Sequence, residues 1–211
     1  MKFLSYESPA MQFLSKVGDL LILNLLFLVC SVPLVTLGAA QAGLFTAMRV
    51  FRDKENDSSC IKAFFRGFST GFRRITALWS ALAVLFVLLV CSVMGTWFFR
   101  HLDPNAPVVM SWVALCILGI LEVLISLFHS RFNCTAWILL RNSGLFLLAY
   151  PVRCVLILVL TWLPLALILL NPSLFIELTM IFLLAYFSLA YWLILRITDK
   201  PFRKMIDSLN A

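Results

Sequence analysis

Charge is scarce in this chain. Asp, Glu, Lys and Arg make up 13% of its 211 residues, against roughly 25% in a soluble globular domain. Hydrophobic residues make up 63%, and mean hydropathy is +1.02. That leaves too little polar surface to cover a water-soluble sphere, so the apolar surplus must face lipid. No polar stretch between the apolar runs is long enough to fold as a separate soluble domain. Residues 1–211 therefore read as a single membrane domain. With 8 Gly and 8 Pro, the composition is not that of a disordered chain. The strict apolar–polar alternation of membrane β-strands is missing too, which leaves α-helices as the spanning elements.

Recognisable chemistry is also lacking. The six cysteines, Cys30, Cys60, Cys91, Cys116, Cys134 and Cys154, form no CxxC pair and fall mostly inside apolar runs. They read as small buried hydrophobes, not as a disulfide or metal framework. His101 and His129 stand alone, and Glu122 and Glu177 lie on different predicted helices. There is no HExxH, no GxSxG, no Gly-Lys-Ser/Thr phosphate loop and no other glycine-rich cradle. The expectation is therefore no catalytic residue, no metal ligand, no cofactor and no enzymatic activity. A process driven by ATP would need a partner to supply the nucleotide chemistry. The formal charge of +7 reads as flanking charge on membrane helices, with no nucleic acid implied.

What is present is a set of long apolar runs. Four have the roughly 20 residues needed to cross a bilayer: Ile75–Phe99, Val108–Phe128, Leu145–Leu170 and Leu174–Leu195. A fifth stretch, Gly18–Val50, is interrupted at Pro33–Gly38. Pro33 removes a backbone donor and Gly38 weakens a helix. If this stretch crosses once, the basic residues divide ten to seven, hardly a bias. If it turns back at Pro33–Gly38, sixteen of the 17 basic residues share one side and only Arg100 lies on the other. Positive charge collects in cytoplasmic loops, which favours the second arrangement with both termini cytoplasmic. The arms, Gly18–Val32 and Ala39–Val50, are short, so a re-entrant or tilted helical hairpin packed against protein is expected. A competing reading takes Lys16, the apolar stretch and Ala40-Gln41-Ala42 as a signal peptide. Pro33 falls well before that triplet, and the basic segment after it would then have to be exported.

Residues Ser58–Arg74 form the most distinctive non-spanning segment. Ile61, Phe64, Phe65, Phe68 and Phe72 recur at helical spacing, with Lys62, Arg66 and Arg73 on another face. Asp57, Ser58 and Ser59 are N-cap candidates. The pattern predicts an amphipathic helix in the cytoplasmic interface, either an anchor for the next span or a docking surface. Glu122 is the clearest ionisable residue inside a span and is a candidate intramembrane polar site. Its own helix offers no strong partner, so one is expected from elsewhere, with Asn24 and Arg153 as candidates. Arg153 is also placed to snorkel from the inner start of its helix, and Glu177 to reach water near an outer helix end.

One local pattern is more specific. The run Gly18-Asp-Leu-Leu-Ile-Leu-Asn24, continuing through Ser31-Val-Pro33-Leu-Val-Thr36-Leu-Gly38-Ala-Ala, resembles the YesL family of bacterial membrane proteins. Ala63-Phe-Phe-Arg-Gly-Phe-Ser-Thr-Gly-Phe-Arg73-Arg74, with Trp79 shortly after, is similar to that family's Phe-rich basic stretch. The likeness covers residues 18–80; beyond them it is limited to the spacing of apolar runs and the ending Ile197-Thr-Asp-Lys-Pro-Phe202. Members are largely of unknown function and are typically encoded beside carbohydrate ABC importers, glycoside hydrolases and two-component regulators. The resemblance therefore implies partners: the permease subunits of an importer and, through them, an ATPase and a solute-binding protein, in the cell membrane of a bacterium. It implies a partner face from Asn24, Pro33, Thr36, Gly38, Phe64, Phe65, Arg66, Phe68, Phe72 and Arg73. The small residues Gly38, Ala39, Ala40, Ala42 and Gly43 allow close helix approach. An autonomous small-solute transporter or channel, and a membrane partner of a sensor kinase, are the competing functional readings.

Overall fold

The computed structural model describes residues 9–53, 59–98, 105–132 and 134–210, and every regular element among them is helical. In chain order these are α1 (Pro9–Ser31), a 3-10 turn (Leu34–Thr36), α2 (Leu37–Asp53), α3 (Cys60–Ser69), α4 (Phe72–Phe98), α5 (Asn105–Arg131), α6 (Ala136–Ala149), α7 (Pro151–Leu170), α8 (Pro172–Ile181), a π-helical turn (Phe182–Tyr186) and α9 (Phe187–Asn210). Among the described residues, six stretches are long and apolar enough to cross a membrane: Leu14–Ser31, Leu34–Arg52, Phe72–Ser92, Val109–Arg131, Pro151–Ile168 and Pro172–Phe202. The protein is a multi-pass helical membrane protein.

The first apolar stretch does break at Pro33, which sits in extended geometry at φ −76°, ψ 108°. The break is tighter than expected, because helix resumes at Leu37 and takes in Gly38. Thr36 closes it. Its Oγ1 donates to the carbonyls of Cys30 (2.6 Å) and Pro33 (2.8 Å), and its backbone N–H also reaches Pro33 O (2.9 Å). These bonds occupy carbonyls that the broken helix leaves open. The arms are 23 and 17 residues long, not 15 and 12. Helix continues past the apolar run into Lys16 at one end and Arg52 at the other, so each arm reaches crossing length.

Three other boundaries differ from expectation. The amphipathic segment stops at Ser69, and Thr70–Gly71 turns the chain so that Phe72, Arg73 and Arg74 open α4. Gly71 sits at φ +65°, a left-handed conformation that costs a side-chain-bearing residue about 1–2 kcal/mol. Ser59 occupies the N-cap of α3 without a side-chain cap bond; Asp57 and Ser58 lie outside the described residues, as do Phe99 and Arg100. The expected span from Leu145 instead begins at Pro151. Tyr150, held out of helical geometry before the proline (φ −134°, ψ 59°), separates α6 from α7. The connection before α7 is itself largely helical, as α6. Finally, the Leu174–Leu195 span contains the π-helical turn, an extra residue accommodated within an otherwise continuous rod.

Helix α2 is the centre of the bundle. Every residue from Gly38 to Met48 is buried, and α1, α3, α4, α5 and α9 all pack on it. Its small residues make this dense packing feasible. A Cβ added to Gly67 of α3 would meet Thr46 Cβ at 2.7 Å and Gly43 Cα at 3.0 Å. The two backbones therefore touch at a Gly43–Gly67 crossing. Aromatic rings fill the remaining core. Phe45 lies against Tyr191 (4.6 Å between centroids), and Phe128 against Phe202 (4.8 Å) and Phe146 (5.9 Å). Cysteines are less uniformly buried than expected: Cys154 is buried, whereas Cys91 and Cys116 are exposed on the outer faces of α4 and α5.

Candidate functional site

The residues expected to form one partner face separate by burial. Asn24, Gly38 and Phe64 are buried inside the bundle. They hold this chain together and offer nothing to a second one. Asn24 donates through Nδ2 to the carbonyls of Phe182 (3.2 Å) and Leu183 (2.6 Å) and accepts the Ser188 N–H at Oδ1 (3.1 Å). It thereby ties α1 to the π-helical turn, where the wider helical repeat leaves backbone groups in need of partners. Gly38 packs under Trp79 of α4, and Phe64 is fully enclosed. Thr36, Phe68 and Phe72 are half-buried; Pro33, Phe65, Arg66 and Arg73 are exposed.

Helix α3 accordingly has two faces. Ala63, Phe64 and Gly67 press onto α2. Lys62, Phe65, Arg66 and Ser69 are exposed. The expected aromatic face is thus split, since Phe64 turns inward and Phe65 outward, with rings in edge contact at 5.6 Å. The helix packs on protein along its glycine side and does not merely float on lipid.

The Glu122 carboxylate has no hydrogen-bond or ion-pair partner among the described residues; only its backbone carbonyl is bonded, by Ser126 Oγ (3.1 Å). Both expected partners are occupied elsewhere. Asn24 binds the π-helical turn, and Arg153 donates to Ile197 O (3.1 Å) and stacks over Tyr150 at 5.2 Å. Arg153 is therefore tethered rather than snorkelling freely. Glu177 lies exposed on α8.

The strongest charge constellation was not legible in the sequence. Asp199 of α9 receives Arg131 of α5 (2.7 Å) and Arg52 of α2, joining three spans. Beside it, between α2, α3 and α5, lies a cavity of about 220 Å³. Thr46 and Arg49 line it from α2, Arg66 and Gly67 from α3, Thr70 from the turn, and His129 to Phe132 from the end of α5. Three of the lining residues are arginines, and none of the described lining residues is a carboxylate. His129 Nε2 lies 2.7 Å from Thr70 O. A carbonyl only accepts, so Nε2 carries the proton. Nδ1 of His129 and Nε of Arg131 are buried without a hydrogen-bond partner. Of these lining residues only Arg66 belonged to the expected face. The others come from segments far apart in the chain, and only the packing of α3 onto α2 assembles them.

Comparison with known proteins adds one finding. The family model described as a protein of unknown function, DUF624, matches residues 20–93, which run from α1 through most of α4 and include the Gly43–Gly67 crossing. No curated protein and no solved structure matches the chain.

Proposed function

We propose that this protein is a non-catalytic accessory subunit of a bacterial carbohydrate ABC importer, binding the permease subunits and stabilising them or biasing their inward and outward states. The observation that carries this reading is the outer edge of α3. Lys62, Phe65, Arg66 and Ser69 are exposed on a short helix whose opposite side is locked to the core at Gly43–Gly67. A rigid helix with an exposed aromatic ring flanked by cations is a ready docking surface, because little ordering entropy remains to be lost on binding. The likeness to the YesL family, whose members are typically encoded beside carbohydrate ABC importers, supports an importer as the partner. A subunit of this kind shifts its partner's equilibrium only by its differential affinity for the two states.

In this reading the protein lies in the bacterial cell membrane with both termini cytoplasmic. The six crossing-length stretches among the described residues, an even number, support termini on one side, and the one-sided basic residues support the cytoplasm. The decisive experiment is a gentle-detergent pull-down of tagged protein from its native host. Two permease subunits and an ATPase should co-purify in fixed ratio, and Phe65→Asp should lower that recovery about tenfold while the protein itself is still produced. Recovery of this chain alone, or as a homo-oligomer, would overturn the proposal. The autonomous-transporter reading has one observation in its favour, the unpartnered Glu122 within α5. It requires that purified protein alone moves solute and that Glu122→Gln abolishes the flux. The accessory reading requires that Glu122→Gln leaves complex formation and uptake intact.

A further inference from the structure

We infer that the pocket between α2, α3 and α5 is a binding site for a phosphate group, a property independent of the importer proposal. Arg49, Arg66 and Arg131 are among the residues that line it, and none of the described lining residues is an acid. Arginine's planar fork matches two oxygens of a phosphate, which makes it the residue suited to this chemistry. Arg131 is already held by Asp199 at 2.7 Å, so one donor-bearing wall is fixed before any ligand arrives.

A simpler origin for the basic residues exists. Cations favour helix C-termini, and Arg66 lies in the last turn of α3, His129 and Arg131 in that of α5. This explains why cations are near. It does not explain the void between them, or why Arg66 binds no helix carbonyl and has no side-chain partner among the described residues. The cavity of about 220 Å³ has the volume of about seven waters at roughly 30 Å³ each, enough for a phosphate and part of the molecule bearing it.

The surrounding hydroxyls point to the same ligand charge. Thr46 donates to Ala42 O (2.8 Å), Thr70 to Arg66 O (2.6 Å) and Ser130 to Leu127 O (2.7 Å). Their protons are committed to backbone carbonyls, which leaves Arg66, with no side-chain partner among the described residues, as the open donor at the pocket. Arg131 Nε is a buried donor without a hydrogen-bond partner, a rare and unfavourable state for polar nitrogen. Two sources could supply the phosphate: the phosphodiester of an anionic lipid, or free phosphate and its monoesters.

The test uses the full chain in neutral detergent, with the thermal unfolding midpoint as readout. One arm titrates inorganic phosphate at constant ionic strength. The other titrates phosphatidylglycerol against phosphatidylcholine at constant total lipid. Wild type is compared with Arg66→Glu, Arg66→Gln and Lys62→Glu. Lys62 is exposed on the same helix but does not line the pocket, so its reversal makes the same charge change away from the site. A saturable rise in midpoint is expected in wild type and Lys62→Glu. At Arg66 both substitutions should raise the half-saturating concentration tenfold or more. A response to phosphate alone assigns a small anion; a response to phosphatidylglycerol alone assigns a lipid headgroup. No saturable response in either arm, unaltered titration in the Arg66 variants, or an equal loss in Lys62→Glu would overturn the site.

Discussion

At the scale of single residues, the buried polar groups show how much stability rests on one side chain. Asn24 is fully buried and serves three backbone groups, two in the π-helical turn and one at the start of α9. Its replacement by Ala leaves two carbonyls and one N–H without that partner in a dry setting, at about 1–3 kcal/mol for a stranded group. Asn24→Ala should therefore lower the thermal midpoint in detergent, and a midpoint equal to wild type would show that the π-helical turn holds without it. The sequence identified Asn24 as noteworthy, but for the wrong reason. An asparagine inside an apolar run signals a hydrogen-bonding need, and the run cannot reveal whether the need is met within the chain or by a partner. The same ambiguity applied to Glu122, whose proposed partners turned out to be engaged with Phe182, Leu183 and Ser188 in one case and Ile197 in the other.

At the scale of elements, α3 and α6 are the parts that hydropathy describes least well. Both are too short to span, and both connect crossing-length helices. Their glycines differ in setting. A Cβ at Gly67 would intrude on Thr46 and Gly43, whereas nothing lies within 4 Å of one at Gly144. Gly67→Ala should push α3 off α2 and cost about 1–3 kcal/mol, the usual penalty for overpacking. Gly144→Ala should be neutral or stabilising by up to about 1 kcal/mol, since Ala is the better helix former. Denaturation of the two variants side by side checks the Gly43–Gly67 crossing directly; equal effects would contradict it. The α6 boundary was within reach of the sequence, because Pro151 marks it and the residue before a proline is disfavoured in helix. The uninterrupted hydrophobicity of Leu145–Leu170 concealed that signal.

At the scale of the molecule, the arrangement makes a topological prediction. The tip of the first hairpin, Val32 to Val35, is exposed and belongs on the side opposite the basic residues. Val35→Cys, in a background with the native cysteines replaced by alanine, should react with a membrane-impermeant maleimide added outside intact cells. Labelling only after the cytoplasm is opened would reverse the assignment. Membrane residence, helical class and the break at Pro33 all followed from composition and local sequence. They depend on solvent preference and on backbone chemistry that each residue carries with it: apolar surface must avoid water, a lipid-embedded backbone must satisfy itself, and proline lacks a donor. The burial of α2, the inward turn of Phe64, the joining of Arg52, Asp199 and Arg131, and the basic pocket were decided by tertiary structure. Each depends on which helix face meets which neighbour. In a chain that is apolar on nearly every face, hydrophobicity cannot make that choice; close packing at small residues and the pairing of scattered polar groups make it instead.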